Sequence, residues 1–189
     1  GSCQKTKFGR LRKAGIGCWW SEGHPLNHAA PVSGSQTNQR AELLAAVRAA
    51  ETDPRPMEIR SDSKFVVLGA KNPRARHAHM DLWARLAPHL HRIVITKVKG
   101  HATWGDVRMG SVQAEDKVGN SQADKLANQG AEMHPARPDL ETSETIRWPP
   151  GHAPSARNQS RNACKSPSPQ DMPRAPANLG PSAAHVAGR

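Results

Sequence analysis

The sequence is poor in cysteine and has no long apolar segment, and both shortages narrow the class of protein. Cys3, Cys18 and Cys164 are odd in number, and none belongs to a C-x-x-C pair. This pattern indicates neither a disulfide framework nor a zinc knuckle, and it favours a reducing compartment. An intracellular location is expected, but the sequence does not choose between nucleus and cytoplasm. No stretch approaches the roughly 18 continuous apolar residues of a membrane helix, so no membrane partner is expected.

Acidic residues are also scarce, with 16 Asp and Glu against 27 Lys and Arg and a formal net charge of +11. A basic excess of this size favours polyanionic partners, of which nucleic acid is the commonest. The alternative is a basic surface that is simply solvated.

Proline and aliphatic residues are unevenly distributed along the chain. Residues 134–189 hold ten of the sixteen prolines and show almost no aliphatic periodicity. Such a segment cannot bury enough apolar surface to order itself. We therefore predict a folded domain over residues 1–133 and a disordered Pro/Ser/Ala/Arg-rich tail over residues 134–189, which is either a linker or a weak nucleic-acid contact.

The first 133 residues alternate between strand and helix patterns. We predict three hairpin-connected strands, one at the N-terminus, one in "AGIGCWW" and one in "HAAPV". The segment "TNQRAELLAAVRAAE" predicts a helix with Leu43, Val47 and Ala50 on one face. A strand in "MEIRSD", helices in "SKFVVLGAK" and "HMDLWARLAPHL", and a strand in "RIVITKVKG" follow. After a loop from Gly100 to Gly119, "NSQADKLANQGAE" predicts the last helix.

This order predicts an α/β fold with a mixed five-stranded sheet. Its three N-terminal strands pair antiparallel, the two later strands pair in parallel through crossover helices, and helices cover both faces.

Three acids fall where such sheets gather ligands. Glu42 lies in the first turns of its helix, Asp62 follows the "MEIRS" strand, and Asp124 lies in the first turn of the last helix. Singly, each has a structural explanation, since Asp62 could cap a helix, Asp124 gains from the helix dipole and Glu42 could be a surface residue. Together they indicate Mg²⁺, and two such ions about 4 Å apart would support hydrolysis of a nucleic-acid backbone.

The segments "GSC", "AGIGCWW", "TNQRAELLAAVRAAE", "IRSDSKFVVLGA", "DLWARL", "KVKGHA" and "GNSQADKLANQGA" occur in the order found in one family. From Gly1 to about Glu132 the chain resembles the type 1 ribonuclease H domain, particularly the versions attached to retroelement reverse transcriptases. The resemblance implies a ribonuclease H-like fold and endonucleolytic cleavage of the RNA strand of RNA/DNA hybrids. Its cofactor would be two Mg²⁺ ions, for which Mn²⁺ could substitute.

The resemblance also implies site residues. Glu42, Asp62 and Asp124 match three of the four metal-binding acids, and His101 matches the loop histidine that assists proton transfer or product departure. The expected substrate contacts are Asn38 and Gln39 at the hybrid's minor groove, Asn120 near a phosphate, and Ser2. Helix capping is the competing explanation for Asn38 and for Asn120.

Three departures from the family pattern qualify this assignment. The fourth acid belongs immediately before the glycine of an Asp-Gly-Ser type motif, and the printed sequence begins at that glycine, so we expect little or no hydrolysis from the chain as printed. Only a small basic patch around Arg74 and Arg76 follows Asp62, so tight binding of the hybrid would need a further domain, such as a reverse transcriptase domain of the same polyprotein. We expect the chain itself to be a monomer. Residues 102–118 form an insertion that short versions lack.

Two other functions remain open at this point. One is a non-catalytic, nucleic-acid-binding remnant of a retroelement polyprotein. The other is an integrase or transposase, which shares the sheet and the acidic cluster; the Glu42 helix directly after the hairpin strands argues against it.

Overall fold

The computed structural model describes residues 12–135 and 182–188. Its strands are β1 (Gly15–Trp19), β2 (His28–Pro31), β3 (Met57–Ser61), β4 (Ile93–Lys97) and β5 (Ser182–Gly188). Its α-helices are α1 (Asn38–Thr52), α2 (Lys64–Lys71), α3 (Met80–Leu86), α4 (Trp104–Arg108) and α5 (Ala114–Glu132), and 3₁₀ turns span Pro73–Ala75 and Ala87–His89. None of these helices is long and apolar enough to cross a bilayer.

The strands form one mixed sheet in the order β2-β1-β5-β3-β4. β1 pairs antiparallel with β2 and with β5, and β3 pairs in parallel with β4 and with β5. α1 packs on one face and α5 on the other. The predicted fold class, a mixed five-stranded sheet with helices on both faces, is therefore confirmed.

Alternation along β1 explains how both faces are covered. Ile16 and Cys18 are buried with α1, and the Cys18 thiol donates to the Ala45 carbonyl oxygen at 3.3 Å. Gly15 and Gly17 face the other way, where a Cβ on either would overlap the backbone of α5. Small residues on this face let α5 lie directly against the sheet.

The core lies between the sheet, α1 and the α2–α3 pair. The predicted stripe of Leu43, Val47 and Ala50 is fully buried on α1, as are Trp83 and Leu86 on α3. On β3, Met57 and Ile59 alternate with more exposed residues, as the sequence pattern predicts.

The central strand comes from an unexpected part of the chain. β5 is formed by residues 182–188, so the prediction of a disordered tail over residues 134–189 is wrong for these seven residues. Residues 136–181 and residue 189 lie outside the described residues. The composition of β5, Ser-Ala-Ala-His-Val-Ala-Gly, is too short and too rich in small residues to give a strand signal of its own. The strand predicted at the N-terminus also lies outside the described residues.

The sequence pattern predicted a loop from Gly100 to Gly119, and this prediction is wrong. The segment contains α4, closed by a capping box in which Thr103 and Asp106 exchange hydrogen bonds, and the first turns of α5, which begins at Ala114. Asp124 is therefore in the middle of its helix rather than in the first turn.

Candidate active site

The turn that follows β3 is held by two serines. Ser61, the last residue of β3, is fully buried, and its Oγ accepts a hydrogen bond from the Ser63 N–H at 3.2 Å. Ser63 caps α2, because its Oγ accepts from the Val66 N–H at 3.3 Å. Asp62, half-buried between them, is fixed at the junction of strand and helix. The alternative in which Asp62 caps the helix is wrong, since Ser63 does so.

Glu42 reaches this turn from α1. The Ser63 hydroxyl donates to Glu42 Oε2 at 2.5 Å. Burial raises the pKa of Glu42, the Ser63 hydrogen bond lowers it, the charge of Asp62 raises it and Lys97 lowers it, with a net rise. Two of the predicted acids are thus neighbours in space, since Glu42 binds the residue next to Asp62 and is influenced by the charge of Asp62.

The loop after β4 lies against Asp62. A Cβ on Gly100 would lie 2.6 Å from Asp62 Oδ2, so a larger residue here would displace the Asp62 carboxylate. The next residue, His101, is exposed and has a φ of 52°, a left-handed conformation that is uncommon outside glycine. His101 is therefore one residue from a direct contact with the Asp62 carboxylate.

Asp124 is half-buried on α5, beside Ala123, which packs against the sheet. Within residues 12–135 and 182–188, no group of three or more Asp, Glu, His or Cys side chains is placed to hold a metal ion. The structure thus brings Glu42 and Asp62 together but does not bring Asp124 into a three-residue cluster with them.

The carboxylate pair fits a single divalent cation. Magnesium prefers oxygen ligands, keeps several waters and is commonly bound by one or two carboxylates plus substrate phosphate. A cation between Glu42 and Asp62 would remove the repulsion that contributes to the raised pKa of Glu42.

The predicted substrate contacts at the start of α1 lie near this pair. Thr37 caps the helix by accepting from the Arg40 N–H at 3.2 Å, so capping does not account for Asn38. Asn38 and Glu42 are four residues apart and share one side of the helix. Asn38 is half-buried and Gln39 is exposed.

The two remaining predicted contacts differ in outcome. Asn120 is only 3% exposed in the body of α5, so it does not cap this helix, and its predicted contact with a phosphate stays a prediction. Ser2 lies outside the described residues.

Two residues of the site were missed by the sequence reasoning. Ser63 joins Glu42 to the Asp62 turn, and Gly100 makes room for the Asp62 carboxylate. The Ser-Asp-Ser order at a strand end signals a capped turn, and it could have identified Ser63. The close approach at Gly100 depends on the fold and has no local signal.

The acids of the insertion are engaged elsewhere. Asp106 binds Lys99 at 2.6 Å, and hydrogen bonds from Lys99 and then from Thr103 lower the pKa of Asp106 to about 2. Asp116 binds Arg60 at 2.8 Å. Neither carboxylate joins Glu42 and Asp62.

The α/β sheet and the two acids at the end of β3 define the class of fold and site, and comparison with known families identifies the family. The RNase H family model matches residues 1–132, so the chain belongs to the RNase H family.

Named relatives agree with this assignment. The chain is similar to human Ribonuclease H1, with 35% identity over 141 residues that cover 69% of this chain and 48% of the human protein. It is 32% identical to mouse Ribonuclease H1 over 70% of this chain and 48% of that protein. Ribonuclease H of Thiobacillus denitrificans is 32% identical over 61% of this chain and 83% of its own length. The chain spans about half the length of the two mammalian relatives.

The family part of the sequence-based assignment is therefore confirmed. Its narrower part, a retroelement type, stays a prediction, since the relatives named above are mammalian Ribonuclease H1 and a bacterial Ribonuclease H.

Proposed function

We propose that this chain hydrolyses the RNA strand of RNA/DNA hybrids, with a divalent metal ion held by Glu42 and Asp62. The observation that carries the proposal is that Glu42, on α1, hydrogen-bonds Ser63, the residue next to Asp62 at the end of β3, in a member of the RNase H family. Mg²⁺ is the proposed ion and Mn²⁺ a substitute. Binding of two ions, as the resemblance implies, needs ligands beyond this pair, of which Asp124 is the first candidate.

Each residue has a separate proposed role. Glu42 and Asp62 would hold the metal ion through their carboxylate oxygens, and Ser63 fixes the Glu42 carboxylate by hydrogen bonding. Asn38 and Gln39 contact the minor groove of the hybrid, where 2′-hydroxyls mark the RNA strand. His101 moves a proton at the reacting phosphate or assists release of the cleaved strand. The bound metal would supply an activated water and stabilise the leaving oxygen.

A cleavage assay tests the proposal. An end-labelled RNA/DNA hybrid is incubated with the full chain in Mg²⁺, in Mn²⁺ and in EDTA, and in parallel with the same chain carrying one added aspartate before Gly1, since the resemblance places an acid there. We expect metal-dependent cleavage of the RNA strand alone, stronger in the extended chain. Absence of cleavage in both chains with both metals would reject the enzymatic proposal.

Paired amide variants separate the metal site from general effects of charge. Glu42→Gln and Asp62→Asn should each lower the cleavage rate by about 100-fold or more, because each removes a metal ligand. Glu51→Gln is the matched control on the same helix, since Glu51 only pairs with Arg85 at the surface. Equal activity in Glu42→Gln and Glu51→Gln would contradict the assigned site.

A second candidate is binding of the hybrid without cleavage. The observation that favours it is the absence, within the described residues, of a third metal-binding side chain beside Glu42 and Asp62. Tight hybrid binding in a fluorescence anisotropy assay, with no cleavage under any metal condition, would support this candidate.

A reverse transcriptase domain as partner and a monomeric state also remain proposals.

A further inference from the structure

An exposed tryptophan lies close to the candidate active site and has no role in it so far. Trp104, the first residue of α4, is 52% exposed, whereas Trp20 and Trp83 are 8% and 1% exposed. It belongs to residues 102–118, the segment that the resemblance sets apart as an insertion. Since an indole ring offers a large apolar face, the groups around it indicate what it would bind.

Asp106 holds α4 in a fixed position. Its carboxylate accepts from Lys99 Nζ at 2.6 Å, which ties α4 to the chain just after β4, and from the Thr103 N–H at 2.8 Å. Its carbonyl oxygen accepts from the Ser111 N–H and from the Ser111 hydroxyl, both at 3.0 Å. The helix is therefore fastened at both ends, and a fixed backbone presents Trp104.

Basic side chains lie beside the Trp104 ring. Lys117 Nζ, from α5, lies 4.7 Å from the ring centroid, a cation–π contact that orients the ring. Arg108 is exposed and lies four residues after Trp104, on the same side of α4. Within the described part of the chain, neither Arg108 nor Lys117 forms an ion pair, because the acids of this segment pair with Lys99 and Arg60. Trp104, Arg108 and Lys117, here called the Trp104 platform, thus combine an aromatic face with two unpaired positive charges.

This combination matches the chemistry of an unpaired nucleotide. Aromatic side chains stack on the bases of single strands, and basic side chains bind the phosphates that flank those bases. Inside a duplex each base face is covered by the next base pair. Only an unpaired nucleotide can therefore offer a base face to Trp104.

The position of the platform places it beside a bound hybrid. Trp104 follows His101 by three residues, so their Cα atoms are at most about 11 Å apart. Successive nucleotides of a strand advance about 3.4 Å along the axis of a duplex. The platform is therefore within reach of nucleotides about three positions from a phosphate that His101 serves.

We propose that the Trp104 platform binds an unpaired ribonucleotide next to the hybrid, so that the chain prefers hybrids that continue into single-stranded RNA. Trp104 stacks on the base, and Arg108 and Lys117 contact the flanking phosphates. The inference rests on the proposed function, since it assumes that the RNA strand of a bound hybrid passes His101. It adds a substrate class, the junction between hybrid and single-stranded RNA.

Anisotropy titrations in EDTA test the preference without cleavage. The ligands share one short hybrid, which is blunt, extended by a run of uridines at the 5′ or the 3′ end of its RNA strand, or extended by thymidines on its DNA strand. We expect the wild-type chain to bind one RNA-extended hybrid about 5-fold or more tightly than the blunt hybrid, as stacking of one base predicts. An equal gain from the DNA extension would overturn the assignment to the RNA strand.

Variants of the ring assign the preference to the platform. Trp104→Ala should remove the preference and leave the affinity for the blunt hybrid unchanged, whereas Trp104→Phe should retain most of it, because a phenyl ring also stacks on bases. Met109→Ala is the matched control, since Met109 is 80% exposed at the end of α4 and is not part of the platform. Thermal unfolding of each variant verifies that it is folded.

Photo-cross-linking of the wild-type chain locates the contact without any substitution. Thiouridine is placed at single positions of the RNA extension, and the cross-linked peptides are mapped by mass spectrometry. We expect the peptide that contains Trp104 to be labelled from the first nucleotides beyond the junction. Labelling of other peptides alone would overturn the proposal.

Failure of this inference is distinguishable from failure of the proposed function. Equal binding of blunt and RNA-extended hybrids by the wild type would overturn the inference while hybrid binding stands. A preference that survives in Trp104→Ala would also overturn it, and would indicate that the exposed ring serves a protein partner instead. Failure to bind any of the hybrids would reject the proposed function, and the inference with it.

Discussion

At the scale of single residues, the site depends on neighbours that position each functional group. Ser63 binds Glu42, and Gly100 lies against Asp62, so substitution of either would move a carboxylate without removing it. His101 follows Gly100 in a left-handed conformation, which sets the direction in which the loop leaves Asp62. Function at this end of the sheet is therefore a property of the turn and loop as much as of the acids.

Replacement of His101 should separate binding from catalysis. If His101 moves a proton or assists product release, His101→Ala lowers kcat by about 10- to 100-fold and leaves the affinity for the hybrid unchanged. His91→Ala is a suitable control, since His91 is an exposed histidine bonded only to the Pro88 carbonyl among the contacts of the described chain. Single-turnover kinetics and anisotropy provide the two measurements, and an equal loss in both would show that His101 contributes to binding instead.

Asp53 should make the fold sensitive to acid. Its side chain is fully buried; burial alone would raise its pKa, but hydrogen bonds from the Arg55 side chain and backbone, and from Ser182, outweigh this and lower the pKa. A lowered folded-state pKa means that the stabilisation is present above the unfolded value near 3.9 and is lost as the pH falls through the folded value.

Asp53→Asn should therefore cost about 2–4 kcal/mol at pH 7, because Arg55 loses its charged partner. Its free energy of unfolding should also vary less with pH below about 4 than that of the wild type. Urea unfolding at pH 3, 4, 5 and 7 measures both effects. An unchanged pH dependence in the variant would show that other carboxylates control acid unfolding.

At the scale of elements, the contact between β1 and α5 is a backbone-to-backbone packing. A Cβ on Gly17 would lie 2.0 Å from the Ala123 carbonyl oxygen and 2.6 Å from the Ala127 nitrogen. Because these are backbone atoms, the whole helix must shift to admit a methyl group. The small residues of β1 and α5 are thus a requirement of the architecture.

Gly17→Ala should destabilise the domain by about 3 kcal/mol through this overlap. Gly23→Ala, at a turn with a φ of 67° and open space around it, should cost only about 1 kcal/mol from its backbone conformation. Thermal and urea unfolding compare the two variants. Equal losses would mean that α5 can move away from β1 at little cost.

Sequence patterns predicted the elements whose signal is local. The apolar stripe of α1 and the alternation of β3 are period signals, and both elements appear where they were predicted. The start of α5 was predicted too late because Gly110 and Gly119 in a polar segment resemble loop composition. β5 could not be predicted, since a short run of small residues becomes a strand only when two helices and two strands leave it a narrow groove.

The candidate site shows the same division. Glu42 and Asp62 each follow a local motif, and their proximity follows from the order of strand and helix. Helix capping was the competing explanation for Asn120 because its helix was predicted to begin beside it, whereas six residues of helix precede it. That alternative therefore failed through an error in an element boundary.

At the scale of the whole molecule, charge should govern the encounter with nucleic acid. The chain carries a net charge of +11, while Lys97 lies close enough to Glu42 to influence its pKa. Basic side chains near Glu42 and Asp62 would offset the repulsion between these two carboxylates and the phosphate backbone of the hybrid. Binding is then expected to depend on release of the counterions that the hybrid carries.

Affinity for an RNA/DNA hybrid should accordingly fall by about 100-fold between 50 and 200 mM salt, as for roughly four phosphate contacts. Lys97→Gln should make the slope of log affinity against log salt shallower by about one contact, and Lys125→Gln, an exposed lysine on α5, should leave it unchanged. Anisotropy titrations in EDTA measure binding without cleavage.

A duplex of DNA alone should show a similar slope at lower affinity, because the phosphate contribution is common to both and only the hybrid offers 2′-hydroxyls to Asn38 and Gln39. Loss of the difference between hybrid and DNA in Asn38→Ala, with the slope retained, would locate discrimination at the start of α1, whereas an unchanged preference would place it elsewhere on the protein.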